Sequence, residues 1–287
     1  MIIFKFGKGV EARYATGQRA DARFFKIRED LGTVPQIILG LLPILLIFLV
    51  WYLLTHGKHE NRIISPLILP SPYEVLTSLK TLWFEAELSR SIVASAGRVI
   101  LGFFTGLLVA FPLGIFMGSF TKVKAMFNPL MTFAAYLPIP ALLPLTMSLF
   151  GIGELQKMMF LALAFIIYLL PLFVKALDEV DNIYLQTAYT LGATNWQTMR
   201  HVLLGVALPK IFHAMRLGFG VGWTYIILAE MVAAERGLGQ IIIVAQRRGP
   251  REHIYLVLVV IVLIAYLTDK LWMKLSRSLF PYLEEKR

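Results

Sequence analysis

Residues 178–209 read DEVDNIYLQTAYTLGATNWQTMRHVLLGVALP and form a polar stretch between two long apolar blocks. The first half is amphipathic, with four apolar residues among polar neighbours: Ile183, Leu185, Ala188 and Leu191. This pattern stops at Gly192, and Thr194 followed by Gln197 has the spacing of a capping box. The stretch therefore predicts a helix, a glycine turn and a second helix outside the bilayer. Because a plain connection needs only a few residues, we interpret the stretch as a docking element.

The composition is that of an all-α polytopic membrane protein. Apolar residues make up 57% of the chain, charged residues 16%, and the mean hydropathy is +0.70. At about 20 residues for each span, 287 residues suit five to seven spans in one domain. The net charge of +10 comes from lysines and arginines near the apolar segments. This placement favours contact with anionic lipid headgroups and gives no reason to expect a nucleic-acid partner.

Six apolar segments are candidates for membrane-spanning helices: 34–54, 96–118, 125–150, 157–174, 211–233 and 254–273. In the second segment, two glycine pairs favour close helix contact: Gly102 with Gly106 and Gly114 with Gly118. The third segment contains Pro138, Pro140 and Pro144 and should be bent. Irregular backbone at membrane depth needs protein or a water-filled cavity beside it, so we expect this segment to face the interior of the bundle.

Six spans put both termini on one side of the membrane. Residues 1–33 contain seven Lys/Arg, which makes that side cytoplasmic by the positive-inside rule. The chain then divides into a cytoplasmic arm, 1–33, and a transmembrane domain, 34–287, with the 178–209 stretch also in the cytoplasm. One external loop, 235–253, carries four arginines and argues weakly against this orientation.

The 178–209 stretch resembles the EAA loop of permease subunits of ABC importers. Gln186–Thr187–Ala188 stands at the Glu-Ala-Ala-like triplet, three residues separate it from Gly192, and the Ile-x-Leu-Pro-like end falls at 202–205. Gln186, Thr187 and Gly205 depart from the family residues, and the missing glutamate removes the basis for one specific salt bridge. The resemblance implies a coupling helix on an ATPase subunit, with contacts from eight residues: Tyr184, Leu185, Gln186, Thr187, Ala188, Leu191, Gly192 and Ala193. We call residues 178–209 the coupling segment.

Four further motifs resemble the nitrate, sulfonate, taurine and bicarbonate branch of these permeases: LPSP at 69–72, YLPIP at 136–140, FGIGE at 150–154, and AEM at 229–231 with GLG at 237–239. The resemblance implies a type I ABC importer permease of the bacterial inner membrane that carries a small anion. Related branches carry vitamin precursors, so the substrate class stays open. The implied partners are ATPase subunits, an external binding protein and a second permease copy, in a homodimer or a heterodimer. ATP and magnesium would bind to the ATPase subunits, with no cofactor in this chain.

Two charged residues inside apolar segments are candidates for the pathway or its gate. Glu230 is costly to place in a membrane helix, so we expect a basic partner, with Arg236, Arg247 and Arg248 as candidates, or a position turned away from the pathway. Arg98 lies one turn inside its segment and is expected to extend to the interface or to contact an anion. Three residues of the broken third segment complete this set: Tyr136, Pro138 and Pro140.

Enzyme chemistry has little support in the sequence. The chain lacks a G-x-x-x-x-G-K-[ST] loop, so we expect that it does not hydrolyse ATP itself, and no histidine or carboxylate spacing indicates a metal site. A secondary transporter or channel is the alternative function. That class predicts charge pairs inside the membrane and inverted repeats, and no repeat is evident. A membrane scaffold, a third class, would not need a proline-broken span.

Overall fold

The computed structural model describes residues 31–57 and 62–283, so the predicted arm lies almost entirely outside the described residues. All regular secondary structure in the described residues is helical: α1 Thr33–Thr55, α2 Pro72–Phe84, α3 Leu88–Ser119, α4 Thr121–Ala135, α5 Leu142–Phe150, α6 Glu154–Asp178, α7 Asn182–Thr190, α8 Leu204–Ala233, α9 Leu238–Arg248 and α10 Arg251–Leu279. A short helical turn, Asn195–Gln197, and a π-helical turn, Thr198–Leu203, lead directly into α8.

The predicted number of spans is confirmed. Five helical stretches are long and apolar enough to cross a membrane: α1, α3, α6, α10 and the stretch Asn195–Val232 that contains α8. The pair formed by α4 and Ile139–Phe150 bends by 91° and would make a sixth span. The bend falls at Pro138 and Pro140, where the missing N–H groups prevent a continuous helix.

The described chain divides between Leu53 and Leu54 into two compact units. In the first unit, α1 is apolar along its length, and its most apolar 18 residues have a mean hydropathy of 2.8. None of these 18 residues is buried. Such a helix can satisfy its backbone internally and needs only lipid around its side chains.

The core of the second unit is the packing of α3 and α8 against α6. At Gly106 of α3, an added Cβ would lie 2.8 Å from the carbonyl oxygen of Ala162. At Gly222 of α8, it would lie 2.5 Å from the ring of Phe165. Added Cβ atoms at Gly102, Gly114 and Gly118 would lie 2.7, 2.8 and 2.6 Å from side chains of α6. Both glycine pairs predicted from the sequence are thus confirmed as points of close helix approach, because a side chain there would force the helices apart.

Aromatic rings then join four helices. Phe103 of α3 makes edge contacts with Phe165 of α6, Phe219 of α8 and Trp272 of α10, at centroid distances of 5.2, 5.2 and 5.8 Å. Each such pair contributes about 0.5–1.5 kcal/mol beyond its buried area. The rings fix the lateral order of these helices, which positions the two sites described below.

The short helix α2 is fixed at its start by charge and capping. Ser71 and Glu74 form a reciprocal capping box, and Arg62 makes a two-bonded pair with the Glu74 carboxylate at 2.9 and 3.0 Å. The Arg62 guanidinium lowers the pKa of Glu74 to about 2. The pair therefore keeps Glu74 ionised over the physiological pH range.

The position of α4 differs from the prediction. The sequence predicts that the broken third span faces the bundle interior, yet no residue of α4 is buried in this chain, and Thr146 is the buried residue of α5. The bend itself is as predicted, but the helices beside it lie at the periphery of the single chain. For the single chain the prediction was wrong: α4 packs against the core through half-buried side chains such as Val123, Phe127 and Met131, and none of its residues is fully buried.

Candidate functional site

The coupling segment folds as a helix, a left-handed glycine turn and a second helix. Gly192 has φ +80°. Its N–H donates to the Tyr189 carbonyl at 2.9 Å, and the next N–H, of Ala193, donates to the Ala188 carbonyl at 3.0 Å. This pair of bonds is the Schellman arrangement, which requires a left-handed residue after the helix end. The glycine turn predicted from the sequence is confirmed.

The second helix of the segment starts at the predicted capping box. The N–H of Gln197 donates to the Thr194 hydroxyl at 3.3 Å, and the N–H of Thr194 donates to the Gln197 side chain at 2.9 Å. The π-helical turn Thr198–Leu203 follows and continues into α8. The second half of the coupling segment, from Asn195, is thus continuous with the spanning helix α8.

The coupling segment exposes apolar side chains. Of the eight residues predicted to contact an ATPase, Ala188 is buried and the others are exposed or half-buried. Leu191, at the tip beside the glycine turn, is 83% exposed, and Tyr184 is 49% exposed. Clustered exposed apolar side chains are typical of a protein-binding surface.

Ion pairs attach the segment to the bundle. Lys124 of α4 pairs with Asp178 at 2.6 Å, and Lys210 of α8 pairs with Glu179 at 2.9 Å. The Lys210 ammonium lowers the pKa of Glu179. Exposed pairs of this kind contribute little stability, so their value here is positional: they tie the segment to two helices at once.

A second site lies at the opposite ends of α3, α6 and α8. The Glu230 carboxylate is fully buried and accepts hydrogen bonds from the Ser95 hydroxyl at 2.7 Å, Arg98 at 2.6 Å and the N–H of Gly239 at 2.9 Å. The predicted partners of Glu230, Arg236, Arg247 and Arg248, were wrong. Its basic partner is Arg98, which lies 132 residues away in sequence.

Arg98 is also placed differently from the prediction. Its side chain is buried and does not extend to the interface. The guanidinium forms a second, two-bonded pair with Glu154 at 2.5 and 2.8 Å, and it donates to the backbone carbonyl of Arg236 at 2.7 Å. Two carboxylates and a carbonyl thus accept hydrogen bonds from the Arg98 guanidinium. These partners offset the large cost of burying its charge.

Lys157 completes this cluster. Its ammonium is buried and pairs with Glu154 at 2.9 Å. The cluster then contains two cations, Arg98 and Lys157, and two anions, Glu154 and Glu230. All four charges have partners inside the protein, so the arrangement supports positioning and gating better than binding of a passing anion.

The helix α9 is the element that the sequence interpretation missed. Residues 235–253 were predicted as a loop, yet Leu238–Arg248 is helical. Its first N–H groups donate to Ser95 and Glu230, so Glu230 serves as an anionic cap in a helix N-terminal field. A helix signal was present, because Gly249–Pro250 follows the last turn and the cap Gly249 has φ +108°.

The glycines of the GLG motif make room for this carboxylate. An added Cβ at Gly237 would lie 2.4 Å from the carboxyl carbon of Glu230, and one at Gly239 would lie 2.6 Å from the Ile227 carbonyl oxygen. Gly237 also has φ +144°. The two halves of the sequence motif, AEM and GLG, are therefore one structural unit.

The remaining pathway candidates lie elsewhere. Tyr136 is 84% exposed, directly before the bend. Pro138 and Pro140 line a cavity of about 510 Å³ together with Tyr168 and Tyr225. The structure thus brings Arg98 and Glu230 together and places the proline candidates at a second location.

Comparison with known proteins identifies the family. The family model "Binding-protein-dependent transport system inner membrane component" matches residues 110–275, more than half of the chain. The chain belongs to this family. It is 32% identical to the taurine transport system permease protein TauC of Escherichia coli (strain K12), over 92% of this chain and 96% of TauC. It is 25% identical to the nitrate import permease protein NrtB of Synechocystis sp., over 82% and 86% of the two chains. These relatives place it among ABC importer permeases of the nitrate, sulfonate and taurine branch.

Solved structures agree on the fold. A chain of the MetNI methionine ABC transporter, in an inward-facing conformation, superposes with a TM-score of 0.62 at 22% identity. The match covers 69% of this chain and 97% of that one. The type I importer permease fold predicted from the sequence is confirmed.

Membership of this family sets aside the secondary-transporter alternative. Charge pairs inside the membrane, which that alternative predicts, do occur here: besides Arg98 with Glu230, Arg216 of α8 makes a two-bonded pair with Asp269 of α10 at 2.5 and 2.8 Å. Such pairs therefore do not distinguish the two classes. No group of three metal-ligating side chains occurs within residues 31–57 and 62–283.

Proposed function

We propose that this chain is the permease subunit of an ATP-driven importer for a small anion, with nitrate, bicarbonate, sulfonates and taurine as the candidates. The observation that carries the proposal is the exposed helix–glycine–helix coupling segment in a chain whose relatives are permeases. The taurine permease matches almost the whole chain, which favours a sulfonate.

The coupling segment would transmit force between an ATPase subunit and the spans. The exposed Leu191 and Tyr184 supply an apolar docking surface, and the glycine turn fixes the angle between the two short helices. Movement of the segment reaches α8 directly, through the continuous helix, and α4 through the Lys124–Asp178 pair. Closure of the ATPases on ATP would then drive alternating access of the spans.

The other partners follow from the same assignment. A second permease copy would supply the cover that α4 lacks in the single chain, and a homodimer is the simplest arrangement. An external binding protein would deliver the substrate, and the partner ATPases would bind ATP and magnesium. The transmembrane domain, 34–287, would lie in the bacterial inner membrane, with lipid around α1. Both termini, and with them the arm 1–33, would lie in the cytoplasm.

Reconstitution tests the proposed function. The permease is purified with its ATPase and placed in proteoliposomes with the binding protein, and uptake of labelled taurine, nitrate and bicarbonate is measured. We expect uptake of at least one anion that requires both ATP and the binding protein. Uptake that follows an ion gradient, without the ATPase, would contradict the proposal and support a secondary transporter.

A further inference from the structure

A cavity of about 440 Å³ lies where the coupling segment meets the turn between α3 and α4. The turn lines it with residues 119–123, and the coupling segment lines it with Leu185, Tyr189, Asn195, Thr198, Met199 and Leu203. At 3.6 residues per turn, Leu185 and Tyr189 lie about 100–140° around α7 from the exposed Tyr184. The cavity therefore lies to one side of the face that is proposed to contact the ATPase.

Two hydroxyl groups in this lining are buried without a hydrogen-bond partner. They are Ser119 Oγ, at the end of α3, and Thr198 Oγ1, in the π-helical turn, where the whole residue is 2% exposed. In the described part of the chain, only one other buried side-chain atom is unpaired, Nε1 of the core residue Trp223. Burial of a hydroxyl without a partner is costly. Two such hydroxyls in one lining indicate a polar ligand that the described chain does not supply.

The same lining contains the uncapped start of a helix. Phe120 precedes α4 and has no side-chain acceptor with which to cap it. Among the described residues, the N–H groups of Thr121, Lys122 and Val123 have no acceptor. The first N–H groups of a helix carry a partial positive charge and favour an anion. The unpaired groups at this end of the cavity are therefore donors that suit a negatively charged ligand.

The charge of the lining is also positive. Lys122 is its only charged residue, and no carboxylate lines the cavity. The neighbouring Lys124 pairs with Asp178, whereas the exposed Lys122 has no ion-pair partner in the part of the chain that the structure describes. Three N–H groups, two hydroxyls and one ammonium can thus all donate to one ligand. A phosphate group, with four oxygens and at least one negative charge, matches these donors.

We infer that this cavity binds a phosphate group, which connects the start of α4 to the coupling segment. The phosphate oxygens accept hydrogen bonds from the first N–H groups of α4 and from the hydroxyls of Ser119 and Thr198, and Lys122 offsets the charge. Five heavy atoms at about 30 Å³ each occupy about 150 Å³, so the cavity also has room for the ester part of a headgroup. The inference goes beyond the proposed function, because such binding does not require transport.

An anionic phospholipid and free inorganic phosphate are the two sources of such a group. In the proposed orientation, the cavity lies where α3 ends at the cytoplasmic side of the membrane. Trp196, which is 54% exposed, lies beside Phe116 there, with 6.2 Å between the ring centroids. Tryptophan is enriched at the level of lipid headgroups. These rings favour the lipid as the source.

The first test measures thermal unfolding of the full-length permease in detergent. ATPase subunits are left out, because they bind phosphate groups themselves. The probes are dioctanoyl phosphatidylglycerol, inorganic phosphate, and dioctanoylglycerol, which has the same chains but no phosphate. We expect a saturable rise in the unfolding temperature with the phosphatidylglycerol. A rise with inorganic phosphate at the same concentrations would identify the free ion as a ligand. No rise with either phosphate probe, or an equal rise with dioctanoylglycerol, would overturn the inference.

The second test changes the donors. Ser119→Ala/Thr198→Val removes both unpaired hydroxyls with little change in shape. Without probe, we expect an unfolding temperature equal to or above that of wild type, because the hydroxyls have no partner in the free protein. With phosphatidylglycerol, we expect an affinity at least about tenfold lower, and Lys122→Gln should also weaken binding.

Matched controls change the same groups elsewhere. Thr105→Val removes an exposed hydroxyl on α3 that bonds within its own helix, and Lys80→Gln removes an exposed ammonium on α2. Both should keep the wild-type affinity for phosphatidylglycerol. Wild-type affinity in Ser119→Ala/Thr198→Val would overturn the inference. A reconstituted complex that imports no anion would refute the proposed function and leave this binding measurement unaffected, so the two failures are distinguishable.

Discussion

Glu230 is the residue that connects the helices at the end of the bundle opposite the coupling segment. One carboxylate joins Arg98 of α3, the first turn of α9 and its own helix α8, with every contact buried. A buried ion pair of this kind does not by itself add stability, but loss of one partner is strongly unfavourable. Its effect is to fix three elements in one arrangement, and we propose that breaking or keeping this arrangement acts as a gate.

Glu230→Gln tests this role. The amide keeps the size of the side chain but removes the charge opposite Arg98, which retains Glu154 as a partner. We expect normal assembly, a loss of about 1–3 kcal/mol of stability, and altered stimulation of ATP hydrolysis by the binding protein. Thermal unfolding in detergent and ATPase assays on reconstituted complexes measure both effects. Glu235→Gln, an exposed carboxylate five residues later, is the control. If both measurements match the control, Glu230 is only a tolerated carboxylate.

For a single residue such as Glu230, the sequence identifies the candidate site residue better than it identifies the residue's contacts. A carboxylate in an apolar run marks Glu230 regardless of the fold. Its partner was sought among nearby arginines, but Arg98 is 132 residues away and reaches it only because α3 packs close to α8. Long-range pairing of this kind depends on helix packing, which residue spacing does not encode.

Among the elements, the coupling segment is the one best predicted from local sequence. Its helix ends are set by Gly192 and by the capping box of Thr194 and Gln197, both of which act within a few residues. The helix α9 has comparable signals but was missed, since the four arginines of residues 235–253, two of them in α9, favoured a charged loop. The exposure of α4 had no local signal, because what covers it is a property of the assembly.

Gly192→Val should uncouple transport. Gly192 has open space around it, so the substitution is resisted by backbone conformation alone, since a β-branched residue disfavours positive φ. We expect the chain to insert in the membrane but to lose co-purification with the ATPase or substrate-stimulated ATP hydrolysis. Gly205→Val is a matched control, because Gly205 also has open space but lies in the regular helix α8. Normal stimulation in Gly192→Val would refute the coupling role of the turn.

The attachment of α2 should depend on pH below the neutral range. Arg62 lowers the pKa of Glu74 from 4.5 to about 2 in the folded protein, so the pair stabilises α2 fully above pH 4.5. This contribution is lost as the pH falls from 4.5 toward 2. We expect protection factors for amide hydrogen exchange in Pro72–Phe84 to fall between pH 5 and pH 3 by about tenfold or more. Glu74→Gln should show low protection at both pH values, and a pH dependence equal to that of wild type would contradict the assignment.

For the whole molecule, composition and apolar segments are enough to predict an all-α membrane protein of about six spans, and the resemblance of the motifs adds the permease family; the structure and its relatives confirm both. The sequence of a single chain does not show which of its helix faces another subunit covers. The proline-broken span looks like an interior element by sequence, yet α4 has no buried residue here. The difference follows from the proposed assembly, in which the interior lies between two copies.

The orientation of the chain in the membrane is the prediction that links both sites to their partners. In the proposed orientation the coupling segment faces the ATPase in the cytoplasm, and the Glu230 cluster with α9 faces outward. Because the chain contains no cysteine, single cysteines report accessibility without background. We expect Gln246→Cys, on the exposed face of α9, to react with an impermeant thiol reagent in intact cells. Asn195→Cys, exposed in the coupling segment, should react only in inverted vesicles, and without ATPase subunits so that docking does not protect it. The two positions lie beyond opposite ends of α8, one before it and one in α9, and serve as controls for each other. Labelling of Asn195→Cys from outside intact cells would reverse the orientation and place the coupling segment where no ATPase could bind.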